Sequence, residues 1–153
     1  MDYGSPVDQN ELVRIMLTLQ ERGAENINLV TPTHQAARIF EAVKQARLEG
    51  LQLPIVYNCG GYENPEFLHE LEGLVQIYMP DFKYGNDQAG LKYSGVNGYF
   101  SWCSEALLEM HRQVGDLQTD SRGVATRGLL VRLELPRFRR QVRTCGLGNT
   151  QVL

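Results

Sequence analysis

Two hydrophobic periods take turns along this chain. Residues 8–23 place Leu12, Ile15, Met16 and Leu19 at helical spacing, with Asp8 as the cap, Glu11 three residues on and Gly23 as the stop. Residues 26–31 (NINLVT) then read as a short strand closed by Pro32. A second helix over 33–50 carries Ala36, Ile39, Phe40, Val43 and Ala46 on one stripe, bracketed by Thr33 and Gly50. A second strand follows at 53–58, halted by Gly60 and Gly61, then a short helix at 64–73 and a third strand at 74–80. After a Gly-rich loop, residues 98–116 read as a long helix with Trp102, Ala106, Leu107, Met110 and Val114 turned inward, and 128–136 as a fourth strand.

Strands that alternate with helices are joined by right-handed crossovers and pair in parallel, so the fold class is α/β. Four such strands suit either part of a β/α barrel or a small open sheet. The 153 residues are enough for one domain, and 42% hydrophobic with 22% charged residues is ordinary for a globular chain. Residues 1–136 form that domain. Residues 137–153 carry Arg137, Arg139, Arg140 and Arg143 and no acid, and read as a basic tail outside it, either a solvated terminus or an interaction arm. The net charge of −3 therefore hides a more acidic body, which is no footprint for nucleic acid. Apolar runs fall far short of the ~20 residues of a membrane span, and no basic-then-apolar leader opens the sequence. Cys59, Cys103 and Cys145 are widely separated, with no CxxC or CxxH pair, which fits a reducing, cytoplasmic compartment and supplies no local metal-ligand set.

In parallel β/α architectures ligands meet the carboxyl ends of the strands. Here those ends hold Thr31, Thr33 and His34; then Asn58, Cys59, Gly60 and Gly61; then Asp81 and Lys83. Arg127 and Arg132 lie on the fourth strand. Asp81 and Lys83 alternate and so share a side, where they either bind a zwitterion such as an amino acid or pair with each other. Gly60 and Gly61 offer unobstructed backbone amides to a ligand, or simply a turn. His34, at a helix start, is a base or a surface cap, and Cys59 is the one thiol placed for a role; Cys103 reads as core.

Five ordered blocks, residues 23–34 (GAENINLVTPTH), 51–63 (LQLPIVYNCGGYE), 77–84 (IYMPDFKY), 109–117 (EMHRQVGDL) and 127–136 (RGLLVRLELP), resemble radical S-adenosylmethionine proteins related to pyruvate formate-lyase activating enzyme. The resemblance spans residues 8–136. It implies a partial β/α (TIM-like) barrel of about four parallel strands, incomplete, with S-adenosylmethionine across the strand ends, a [4Fe–4S] cluster as the second cofactor and a protein substrate as partner. It puts Asp81 and Lys83 at the methionine part, and Asn58, Cys59, Met79 and Asp81 where the family surrounds a monovalent cation. Thr31, Thr33 and His34 stand, by position only, where the family's Gly-Gly-Glu turn receives the amino group.

The sequence departs from that family at its defining feature, because it has no CxxxCxxC. Three thiolates hold the cluster that passes an electron to the sulfonium; without them no 5′-deoxyadenosyl radical forms. Leu133 departs from the related strand as well, and the resemblance stops at Pro136, where the family continues with further βα units. The sequence therefore reads as a truncated radical S-adenosylmethionine chain, inactive by itself, that does not bind the cluster. The alternatives are a cluster-less binding or regulatory module and, third, a small unrelated β/α enzyme using Asp81, Lys83 and His34 as acid–base groups. Four strands do not close, so 26–31 and 128–135 would be open edges that recruit another copy or a chaperone.

Overall fold

The structure, a computed structural model, describes residues 5–133. Its elements are α1 (Gln9–Glu21), β1 (Ile27–Val30), a 3-10 turn (Thr33–Gln35), α2 (Ala36–Leu48), β2 (Ile55–Cys59), α3 (Pro65–His69), β3 (Ile77–Phe82), α4 (Asp87–Ser94), α5 (Tyr99–Val114), β4 (Gln118–Thr119), β5 (Ala125–Leu129) and β6 (Arg132–Leu133). The expected tail 137–153, the end of the fourth expected strand and Cys145 lie outside the described residues.

The sheet has six strands in the order β1-β2-β3-β5-β4, with β6 also against β3. β1, β2, β3, β5 and β6 pair in parallel, as the alternating pattern predicts, and β4 joins β5 antiparallel. The fold is α/β with an open, mostly parallel sheet that does not close into a barrel. One expected edge is corrected: β1 is an edge, but β5 is covered by the two residues of β4, a short edge of the kind that limits further pairing.

The fourth expected strand divides into β5 and β6. Both halves keep one register against β3, with Tyr78 opposite Leu129 and Asp81 opposite Arg132. The gap between them faces Pro80. The Leu130 amide donates to the Tyr78 carbonyl at 2.9 Å, and the return bond would need an amide hydrogen on Pro80, which proline lacks.

The core sits on one face. Ile27, Ile55, Tyr57, Cys59 and Tyr78 from the strands cluster with Val13 and Met16 of α1, Phe40, Val43 and Ala46 of α2, Leu68 of α3 and Ala106, Met110 and Val114 of α5. Side chains alternate along a strand, so Val30, Asn58, Met79 and Asp81 fall on the other face. The helical stripes are largely as the spacing predicts. On α1, however, Val13 and Met16 are buried while Ile15 and Leu19 are about 40% exposed. This helix packs mainly on α2, so a narrow stripe suffices. On α5, Trp102 is 46% exposed, and the inward row is Tyr99, Cys103, Ala106, Met110 and Val114.

The expected Gly-rich loop before α5 contains a helix, α4. Its start is capped by the Asn86 side chain, which accepts from the Ala89 amide at 2.8 Å. Gly90, whose presence reads as a loop signal, is there because a Cβ would collide with Tyr99 of α5. The third strand begins later than expected, since residues after α3 wind into turns, with the Leu71 and Val75 amides bonded to Leu68 and Leu71 carbonyls.

Truncating the fully buried Met110 to Ala should cost about 2–5 kcal/mol, whereas Leu108→Ala, two residues earlier on the exposed side, should stay within about 0.5 kcal/mol. Urea unfolding of the two variants checks the assigned face of α5.

Candidate functional site

The strand ends on the helix-free face carry a bonded set of polar side chains. Asn58 and Asp81 are each 8% exposed, and β6 brings Arg132 into register beside Asp81. The Arg132 guanidinium donates from Nε to Asp81 Oδ1 at 2.7 Å and from Nη2 to Asn58 Oδ1 at 2.9 Å. Lys83, one residue beyond β3, places Nζ 3.7 Å from Asp81 Oδ2. The structure therefore brings Asn58, Asp81 and Lys83 together, as the pattern predicts, and adds Arg132 as the principal partner of Asp81. Arg127 goes elsewhere: it donates to the Gln113 and Val114 carbonyls at the end of α5.

Gly60 and Gly61 form the turn after β2. Gly61 has φ +79°, and any Cβ on it would strike the Asp81 carbonyl oxygen. The glycine is thus required by close approach of the β2 turn to the strand that carries Asp81. Thr31 adopts φ 49°, uncommon for a non-glycine residue, and its amide donates to the Asn58 carbonyl at 2.8 Å.

A second set gathers on the helix side of the same ends. Thr33 donates from Oγ1 to Glu63 Oε1 at 2.8 Å and lies 3.0 Å from the Tyr57 hydroxyl, which donates to Glu63 Oε2 at 3.3 Å. Thr33 is therefore not the cap of α2, whose N-cap position is Gln35. Glu63 is buried, and burial pushes its carboxyl above the usual carboxylate range, against the opposing pull of the Thr33 and Tyr57 hydrogen bonds. Cys59 is buried beside it, and burial followed by the nearby Glu63 charge pushes the thiol strongly upward, so it stays protonated and unreactive. His34 is exposed and borders a hollow with Thr33, Arg38, Phe67 and Glu70, but its ring makes no bond to either set among the described residues. It does not join either set. Another hollow, largely apolar, is lined by Phe82, Leu107, Leu108, His111, Val131 and Leu133, and so adjoins the strand segments that carry Asp81 and Arg132.

The sequence places Glu63, Tyr57 and Arg132 on or beside the strands whose ends converge but gives them no role in the site. The signal for Arg132 was its strand position. Once 128–135 is set in register against 77–82, Arg132 falls opposite Asp81. Glu63 carried a weaker signal: an acidic residue two positions after Gly61, in a turn that folds back on its own strand.

No known family profile matches the chain, and no solved structure matches it. An uncharacterized protein of Methanocaldococcus jannaschii is 30% identical over 97 residues, which cover 62% of this chain and 28% of that protein. The chain thus spans less than a third of the length of the curated relative it matches.

Two measurements test these sets. Arg132→Ala should destabilise the fold by about 1–3 kcal/mol, because it strips the nearest cation from a buried carboxylate. Adding Asp81→Asn should recover part of that loss; if the double variant is the weaker, Asp81 is not held by charge. For Glu63, a raised folded-state pKa means that stability present below the unfolded pKa is lost as pH rises through the folded one. Glu63→Gln should therefore raise the melting temperature near pH 7.5, with a gain that shrinks toward pH 4.

Proposed function

We propose that this chain forms the ligand-holding strand ends of a partial, TIM-like β/α barrel of the radical S-adenosylmethionine type related to pyruvate formate-lyase activating enzyme. It binds S-adenosylmethionine there and does not itself cleave it. The observation that carries this reading is the set Asn58–Asp81–Lys83–Arg132, at the carboxyl ends of consecutive parallel strands and on the face that the helix core leaves aside. The five sequence blocks and the layering of the helices on one face support it further.

The donor set suits the amino-acid end of such a ligand. Lys83 and the half-exposed Arg132 guanidinium present positive charge to a carboxylate, and Asp81 Oδ2 presents an acceptor to an ammonium group. In the turn next to them Gly60 is exposed, whereas Gly61 is buried against the Asp81 backbone. When bound, S-adenosylmethionine supplies an activated sulfonium; this chain's own part is to hold and orient it.

The residues present do not fit the other groups that the resemblance implies. Cys59 and Cys103 are buried, with thiols that burial keeps protonated, and among the described residues no three His, Cys, Asp or Glu side chains gather as metal ligands. Among the described residues a [4Fe–4S] cluster has no donor set. The place of a monovalent cation between Asn58 and Asp81 is taken by the Arg132 guanidinium, a cation tethered to the fold. The pairing of Asp81 with both Arg132 and Lys83 inside that set favours, as a second reading, a binding or regulatory module that uses the same strand ends. In either case the β1 edge is where we expect another copy or a chaperone to add.

Calorimetry with S-adenosylmethionine and with L-methionine should give binding of about millimolar strength, abolished by Lys83→Ala. Tight binding that survives this substitution would overturn the site. Anaerobic reconstitution with iron and sulfide should leave no stoichiometric cluster absorbance; a cluster signal lost in Cys59→Ala would reverse the assignment of that thiol.

A further inference from the structure

Beside β6 the helix-bearing side of the sheet ends in an open hollow. Leu129, Val131 and Leu133 alternate along the chain and so share one face, opposite to that of Arg132. With Phe82 of β3 and Leu107 and Leu108 of α5 they line an apolar hollow of about 520 Å³. Leu108 is 71% exposed and Leu133 72%, and Phe100, edge-on to Phe82 at 5.6 Å, carries the apolar surface further along α5. Single apolar side chains on a surface are ordinary, but a contiguous group around a hollow marks a place where something packs.

Position and charge select the occupant. The described residues stop at Leu133, which is itself part of the wall, so the next residues set out from the rim of the hollow. Leu135 and Phe138 come two and five residues later, and five residues of chain reach at most about 17 Å. Side chains tethered this closely meet the hollow at an effective concentration of order millimolar, which a free partner has to outcompete. The same stretch carries Arg137, Arg139, Arg140 and Arg143. The α5 wall has an acid toward each end: Glu105, exposed and three residues before Leu108, and Asp116, exposed and 2.9 Å from His111 of the hollow. A second copy would bring a body with the same excess of acid, whereas the arginine stretch brings the opposite charge.

We propose that the hollow is the docking site of this chain's own residues 134–143, with Leu135 and Phe138 against Leu107, Val131 and Leu133 and the arginines along the Glu105–Asp116 flank of α5. The segment is then an intramolecular cover for the apolar surface beside β6. It lies on the face opposite the Asn58–Asp81–Lys83–Arg132 set, and it stands whether or not that set binds a ligand. An aromatic ring supplies a large apolar surface for such a contact, so Phe138 is the side chain whose removal should undo it.

NMR of the full chain with labelled leucine and valine methyls tests the contact. NOEs should join the Phe138 ring to the Leu107 and Val131 methyls, whose resonances its ring current moves. Phe138→Ala should move those resonances back, and so should Arg139→Glu combined with Arg140→Glu. Absence of the NOEs in the wild-type chain, or methyl resonances that Phe138→Ala leaves in place, overturns the docking; resonances that the paired arginine variant leaves in place overturn its charged half. A mixture of labelled and unlabelled chains distinguishes the occupants. NOEs confined to one chain and unchanged on dilution support the proposal. NOEs between labelled and unlabelled chains assign the hollow to a second copy and overturn it. Should Phe138→Ala fail to fold, the wild-type NOEs and the mixture decide the question without it.

Discussion

A parallel pair of strands cannot be closed by a tight turn, and everything else in this fold follows from that constraint. Each return from the end of one strand to the start of the next takes a long segment, and here α2 and α3 serve it between β1, β2 and β3. Because those strands sit side by side in sequence order, each crossover moves the same way and the helices gather on one face. The opposite face is spared a helix core, and the carboxyl ends of the parallel strands point to one rim. Asn58, Asp81 and Arg132 come from three different strands and still meet within hydrogen-bond reach, because parallel strands present like ends together.

The two polar sets differ in how they handle charge. On the helix-free face, Asp81 is nearly buried and paired with two cations, Arg132 and Lys83. On the helix side, the partners of Glu63 are hydroxyls, so its burial favours the neutral acid. The first set is suited to exchanging partners with a charged ligand. The second joins the segment after β1 to the turn after β2, and so holds the two loops that flank the site.

Much of the fold was legible in the sequence. The helices at 8–23, 33–50 and 98–116 and the strands at 26–31 and 53–58 all have counterparts, because amphipathic periods and glycine stops act locally. What failed depended on distant partners. Trp102 sits at helical spacing with the core row, but the packing of α5 turns it outward. α4 was hidden because Gly90 answers to Tyr99 rather than to its own backbone. At the site, Asp81, Lys83 and Asn58 announced themselves by type and strand position. Arg132 did not, because its value lies in a pairing 51 residues away along the chain. His34 looked equally promising on a linear reading, but the turn at Thr33–Gln35 carries it to the surface.

The interruption opposite Pro80 has a consequence for how the chain tolerates change in length. β5 and β6 share one register across the gap at Leu130 and Val131, so the spacing of that gap, and no bonded ladder inside it, decides which way Arg132 faces. A residue gained or lost there would invert the alternation beyond it. The guanidinium would swing to the apolar layer, Leu133 (on a loss) or Val131 (on a gain) would take its place at the rim, and Asp81 would keep its burial with Lys83 alone as counter-ion. Insertions and deletions are usually absorbed where pairing is weakest. In this sheet the weakest pairing is also the place where an indel would undo the site.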